Sequence, residues 1–194
     1  MGYSAGGPHA LACAYRLPER VRAAAAVSSV APMGRCGAFR GMPLPNQILN
    51  GSARWAPWLA RLIRRTISNM IEGDVEKASR RLMSSLPEAD QKVLYAPEQM
   101  DALSRSVREA LRPGWRGAAR DDVIENKDWG FDPAQISVRI DIWHGTEDVN
   151  VPCHAGRYLH DTIPHNRATF VPGEGHFLLM VRWGEILAAL TCER

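Results

Sequence analysis

The sequence predicts an α/β fold: about three parallel strands flanked by helices, interrupted by an all-helical insertion. Short apolar runs of strand length lie towards both ends of the chain and alternate with helical patterns. Between them, from residue 53 to about 127, the helical period dominates and no strand pattern appears. The composition fits one packed core, with 194 residues, 45% hydrophobic and 23% charged, which is ordinary globular usage. That composition excludes a disordered chain, a collagen and a small disulfide-stapled scaffold. No apolar run reaches the roughly 18 residues that a membrane-spanning helix needs. The formal charge of +3 is too small to point to nucleic acid.

Each element follows from local signals. Residues 8–17 (PHALACAYRL) are rich in Ala and Leu and stop at Pro18. They predict a short helix whose N-terminus abuts Gly6 and Gly7. Residues 21–30 (VRAAAAVSSV) predict a buried strand closed by Ala31-Pro32, although the alanines leave a helix open. From residue 33 to about 50, Gly34, Gly37, Gly41, Pro43 and Pro45 give a loop-like texture. Trp55, Trp58, Leu59, Leu62, Ile63, Ile67 and Met70 then form an apolar helical stripe, with Arg54, Arg61, Arg64 and Arg65 mostly off it. Asp74 is placed to cap a helix through Leu82, and Ser85 and Glu88 around Pro87 make a capping-box start. Residues 97–111 predict another helix, stopped by Pro113-Gly114. The strand period returns at 138–143 (VRIDIW). Residues 152–163 predict a helix ended by Pro164, 168–171 (ATFV) a short strand, and 177–190 a final amphipathic helix. This alternation implies crossover connections and a parallel sheet covered on both faces.

The chemistry-bearing motif is Gly2-Tyr3-Ser4-Ala5-Gly6, a G-x-S-x-G that opens a helix. In a nucleophile elbow the serine sits in a sharp strained turn, and small residues let neighbouring backbone approach. The helix N-terminus supplies a positive dipole end, and the Ala5 N–H is a candidate oxyanion donor. A neutral serine needs a base. Two candidate partners follow predicted strand ends, Asp148 in WHGTED and His176 in VPGEGH. Active sites of open α/β sheets lie at the carboxyl ends of strands. In these roles His176 takes the Ser4 proton and Asp148 fixes the His176 tautomer. Glu147 is the nearest rival acid, and Ser4 and His176 also suit plain helix-capping roles. His9, His154, His160 and His165 read as solvated surface, and His144 as packing near the acid loop. Tyr3, Trp55, Trp58 and Phe177 are candidates to line an apolar substrate pocket. At helical spacing the tryptophans, with Trp115 and Trp129, equally suit packing between insertion and core.

GYSAGG, HGTED and GEGH, in this order around a helical insertion, resemble the α/β-hydrolase superfamily, especially its serine esterase and peptidase-like members. The resemblance implies a Ser4–Asp148–His176 triad and an acyl-enzyme route on a small ester, amide or related acyl substrate. It implies no metal and no organic cofactor. It divides the chain into residues 1–32 (elbow, helix and following strand), 33–135 (a helical cap or lid) and 136–194 (acid and histidine loops). Serine at the nucleophile position disfavours the dehalogenase and epoxide hydrolase chemistry of relatives that carry Asp there. The resemblance covers the whole chain but only the second half of the family's fold. The expected nucleophile strand and the loop carrying a second oxyanion N–H have no counterpart before Ser4. The expectation is therefore a C-terminal part of a longer hydrolase, with the 21–30 strand left as an exposed apolar edge. The alternative is a catalytically inactive fragment or binding module of the same fold.

The N-terminus has no basic n-region and no apolar h-region. Cys13, Cys36, Cys153 and Cys192 form no CxxC pair and read as reduced, mostly packed thiols of a cytoplasmic protein. No nucleic-acid partner and no stable membrane insertion are expected. The arginines beside Trp55 and Trp58 leave a peripheral membrane contact open, with a solvated basic face the plainer reading. Oligomeric state is not legible.

Overall fold

The computed structural model describes residues 1–32, 37, 39–73 and 86–192. Four parallel strands form one sheet in chain order: β1 (Gly2–Tyr3), β2 (Ala23–Val27), β3 (Arg139–Gly145) and β4 (Asn166–Val171). The helices are α1 (Gly6–Arg16), α2 (Leu44–Trp55), α3 (Pro57–Gly73), α4 (Glu88–Leu94), α5 (Pro97–Leu111), α6 (Trp115–Glu125), α7 (His154–Thr162) and α8 (Leu178–Thr191). A 3-10 turn spans Pro133–Gln135. In the stretch between β2 and β3 the described elements are helical, from α2 to the 3-10 turn.

The alternation of side chains along each strand sorts the core into two layers. Ala24, Ala26, Ile140 and Ile142 share one cluster with Leu11 and Ala14 of α1 and Ala155 and Leu159 of α7. Ala25, Val27 and Trp143 share the other with Leu178 and Ile186 of α8. A strand buried on both faces reads as a continuous apolar run, which is why AAAAV is a strand despite the helix propensity of alanine. A third cluster joins the insertion to α8: Leu86 and Leu94 pack on Phe177, with Met100, Leu103 and Met180 against them.

The structure departs from the sequence pattern in several places. The sheet has four strands rather than about three, because Gly2 and Tyr3 pair with Ala26 and Val27. The strand expected to be an open edge is therefore covered at its C-terminal end. It is also shorter than residues 21–30: Ser28 leaves it at φ 44°, its N–H donating to the Trp143 carbonyl at 2.8 Å. The loop-like segment ends early, at Leu44, because prolines are tolerated in a first helical turn, and Pro43 and Pro45 flank that start. The stripe from Trp55 to Met70 is broken at Ala56 between α2 and α3. Its members Trp55, Trp58, Leu62 and Met70 are exposed, while Ala60 and Ser68 are buried. Arg64 turns inward instead, in a two-bond ion pair with Asp122 of α6. That pairing lets an arginine occupy a helix–helix contact. Cys13 and Cys192 are exposed free thiols, not packed ones, and Cys153 is partly buried and free. Cys36, the 74–82 helix and the Ser85 cap lie outside the described residues. No helix among the described residues is long and apolar enough to cross a membrane.

Ile142 is 1% exposed at the centre of the sheet. Ile142→Ala is expected to lower unfolding stability by about 2–5 kcal/mol, through lost burial and the cavity left behind. Urea denaturation of both proteins checks this.

Candidate active site

Ser4 stands at the junction of β1 and α1 with φ 53°. That is the left-handed region, costly for a residue with a Cβ. It is held there from both sides. Its N–H donates to Val27 O at 2.9 Å, and its carbonyl accepts from Gly7 N–H at 3.0 Å. The turn is tight enough that a Cβ on Gly2 would run into the Gly6 carbonyl, so glycine is required there. Among the described residues Ser4 Oγ has no hydrogen bond, and the residue is partly exposed. Ala5 is the residue before α1, with no backbone acceptor for its N–H among the described residues. The helix dipole adds positive potential at that point.

Asp148 and His176 leave the ends of β3 and β4. His176 Nδ1 lies 2.8 Å from Asp148 Oδ2, and the two residues are 7% and 4% exposed. Asp148 Oδ1 accepts from Val151 N–H at 2.8 Å, so the carboxylate is satisfied on both oxygens. Asp148 can only accept when ionised, which places the His176 proton on Nδ1 and leaves Nε2 as the basic nitrogen. Glu147, the rival acid, is exposed and has Thr146 Oγ1 as its hydrogen-bond donor. Ser4 follows Tyr3, whose ring centroid lies 5.1 Å from that of His176.

The other candidates take distinct places. Tyr3 commits its hydroxyl to the His176 carbonyl at 3.1 Å, and burial pushes its own proton affinity up, with Asp148 and Asp90 adding to the effect. Phe177 is buried between Leu86 and Leu94. Trp55 and Trp58 are 78% and 69% exposed, so they do not pack the insertion onto the core. Trp129 does, against the cluster under α1 and α7. His9, His160 and His165 are exposed, and His160 Nδ1 meets Asn166 Oδ1 at 2.6 Å. His154 is half-buried. A groove of about 550 Å³ runs beside the histidine loop, between Pro87 and Lys92 of the insertion and Glu174 and Arg182. Ser4, Trp55 and Trp58 do not line it. Among the described residues no cluster of three or more His, Cys, Asp or Glu is placed to hold a metal ion.

Two polar residues at the site, Ser28 and Asp90, carry no local sequence signature of their role, while a third, His144, packs by the acid loop as its place in the sequence suggests. Ser28 Oγ donates to the His176 carbonyl at 3.1 Å; its place at a strand end is the one available signal. Asp90 of α4 accepts the Phe177 N–H at 2.9 Å while fully buried. Burial raises its proton affinity, opposed by the N–H groups of Phe177 and His176. His144 is fully buried and its Nε2 meets Val151 O at 2.7 Å. A carbonyl only accepts, so Nε2 carries the proton. Burial lowers the His144 pKa, with Asp148 opposing.

No family model matches the sequence, and no curated protein matches it. Solved structures do. A putative non-heme bromoperoxidase from Mycobacterium tuberculosis H37Rv superposes at TM-score 0.58 and 15% identity, over 98% of this chain and 66% of that one. The esterase RhEst1 from Rhodococcus sp. ECU1013 gives TM-score 0.58 and 19% identity, over 98% and 63%. An α/β-hydrolase fold protein from Nakamurella multipartita gives TM-score 0.54 and 17% identity, over 97% and 66%. The chain thus spans 63% to 66% of the length of these structures.

A buried neutral histidine gives a pH test. The His144 pKa is depressed on folding, so the unfolded chain binds the extra proton first. The stability His144 contributes is present above its unfolded pKa of about 6.5 and is lost as pH falls through the lower folded value. His144→Gln is expected to flatten the fall in stability between about pH 7 and 5, by up to ~1.4 kcal/mol per pH unit. Urea melts across that range measure the slope.

At identities of 15% to 19% the likeness to solved structures establishes the fold: the chain has the architecture of an α/β hydrolase.

Proposed function

We propose that the protein is a serine hydrolase acting on an ester, amide or related acyl group of a small molecule. The observation that carries this reading is the buried Asp148–His176 hydrogen bond at 2.8 Å. A serine is held at φ 53° before the N-terminus of a helix, and it follows Tyr3, whose ring lies 5.1 Å from that of His176. Ser4 Oγ attacks the acyl carbon as His176 Nε2 takes its proton. The carbonyl oxygen becomes an oxyanion facing the Ala5 N–H, where a positioned donor is typically worth ~3 kcal/mol. His176 returns the proton to the leaving alcohol or amine, and Ser4 retains the acyl group. Water, deprotonated by His176, then attacks the acyl-enzyme and the serine is regained. Asp148 holds the ring orientation throughout and stabilises the imidazolium. The free Ser4 Oγ suits this sequence, since nucleophile–base bonds commonly tighten only around substrate. In this reading the helices between β2 and β3 form a cap that shapes the substrate pocket, and no cofactor takes part.

The covalent step gives the test. A fluorophosphonate probe is expected to label the folded protein at one site. Ser4→Ala abolishes labelling, and Asp148→Asn slows it by roughly 10³–10⁴-fold by leaving His176 in the wrong tautomer. Mass spectrometry of the labelled peptide locates the adduct. A folded protein that takes no label, or a Ser4→Ala variant labelled at the same rate, overturns the proposal.

A further inference from the structure

The peptide group joining His176 to Phe177 is gripped on both sides. Its carbonyl accepts from Tyr3 Oη and Ser28 Oγ, each at 3.1 Å, and its N–H donates to Asp90 Oδ1 at 2.9 Å. Tyr3 and Ser28 come from the sheet edge, and Asp90 comes from α4 in the insertion. Asp90 is 0% exposed and its Oδ2 has no hydrogen-bond partner among the described residues. A buried carboxylate with an idle oxygen is an expensive way to anchor a loop backbone. The chain is shaped around it as well: a Cβ on Gly175 would run into the Asp90 carboxylate. Asn or a backbone carbonyl would accept the same hydrogen bond at lower cost, so the charge itself calls for a role. Asp90 Oδ1 sits at the Phe177 N–H, one peptide from His176, and positive charge on His176 favours its ionised form while Asp148 opposes it.

We propose that Asp90 is a positioning residue for His176. It anchors the 176–177 peptide from the insertion and stabilises the imidazolium through space. The assignment rests on the hydrolase reading for its catalytic meaning, but not for its geometry. When Ser4 gives up its proton, the imidazolium forms between two carboxylates, Asp148 in contact and Asp90 behind the loop. The other groups facing the ring are Tyr3 from β1 and His144 from β3. Burial lowers the His144 pKa and holds Tyr3 protonated, which of these groups leaves Asp148 and Asp90 as the acids that can carry negative charge beside the ring. The insertion thereby acts on the base itself as well as over the pocket.

The test measures the pH titration of the His176 ring by NMR in the wild type, Asp90→Asn and Asp90→Ala. The His176 signal is assigned with His176→Gln. Asp90→Asn keeps an acceptor oxygen and the side-chain shape, so it decides the question even if Asp90→Ala does not fold. Loss of the negative charge destabilises the imidazolium, so the midpoint is expected to move down by about half a unit or more. The pH midpoint of fluorophosphonate labelling is expected to move with it. Asp90→Ala also loses the anchor and is expected to label about 10-fold more slowly at its own optimum. A midpoint in Asp90→Asn unchanged from wild type overturns the assignment, and with wild-type labelling intact the hydrolase reading stands. A shifted midpoint in a protein whose wild type takes no label upholds Asp90 and overturns the hydrolase reading.

Discussion

The register of the parallel sheet is the constraint on which the rest depends. Parallel strands deliver all their carboxyl ends to one edge, and the pairings decide which loops meet there. Tyr3 opposite Val27 sets Ser4 beside Ser28, and Gly145 opposite Val171 sends the acid and histidine loops out side by side. Those loops are then stitched together: Glu147 N–H donates to Glu174 O at 2.9 Å and Gly173 N–H to Thr146 Oγ1 at 3.0 Å. A slip of one residue would turn Ile140 and Ile142 from the α1–α7 layer to the α8 layer. It would also shift the acid loop by a residue against the histidine loop. The apolar sorting that stabilises the fold thus sets the Asp148–His176 distance.

The charges buried beneath this edge are arranged around α8. Asp90 receives the N–H just before the helix begins, where the dipole favours a negative group. Arg139 of β3 donates to the carbonyls of Ala189, Leu190 and Cys192 at its other end, where the dipole favours a positive one. Arg139 also pairs with buried Asp141 at 3.3 Å. The helix that follows His176 is therefore fixed at both ends by side chains of the right sign. His144 adds a neutral buried donor that ties the strand end to the loop beyond Asp148. Each of these groups is costly to bury alone, and each has a partner that offsets part of the cost.

The candidate site residues are legible in the sequence because their signals are local. GYSAGG announces a turn into a helix, and WHGTED and VPGEGH each follow an alternating or apolar run that reads as a strand. Strand identity follows from the same periodicity. The two-residue β1 escapes it, because two residues carry no period. The grip on the 176–177 peptide is not legible for a different reason. Its contacts span 173, 148 and 87 residues, and nothing near Tyr3, Ser28 or Asp90 marks them. Asp90 reads as an ordinary polar position in SLPEADQK. Arg64 is hidden in the same way, since its place off an apolar stripe suggests solvent until Asp122 supplies a partner. The tryptophans show the converse: Trp55 and Trp58 satisfy a helical apolar pattern, but the break at Ala56 leaves both on the outer surface.

The insertion has two attachments of different character, and this bears on how such a fold can vary. Its α2, α3 and α6 part is held by the Arg64–Asp122 pair and by Asn126, which donates to Asn50 at 3.0 Å and whose carbonyl accepts from Arg54 at 2.9 Å. Those contacts are internal to the insertion, but α2 is also tied to the loop beyond Asp148: its Asn46 Nδ2 donates to Asn150 Oδ1 at 3.1 Å. The α4 part instead packs Leu86 and Leu94 on Phe177 and sends Asp90 into the histidine loop. Substitutions there reach the peptide that carries His176. In the proposed hydrolase, a cap whose α3 and α6 pair with each other, while α2 touches the acid loop and α4 the histidine loop, separates the demands of pocket shape from those of proton transfer. The polarity of α4 is then constrained at Asp90 by the histidine loop, and that of α2 at Asn46 by the acid loop.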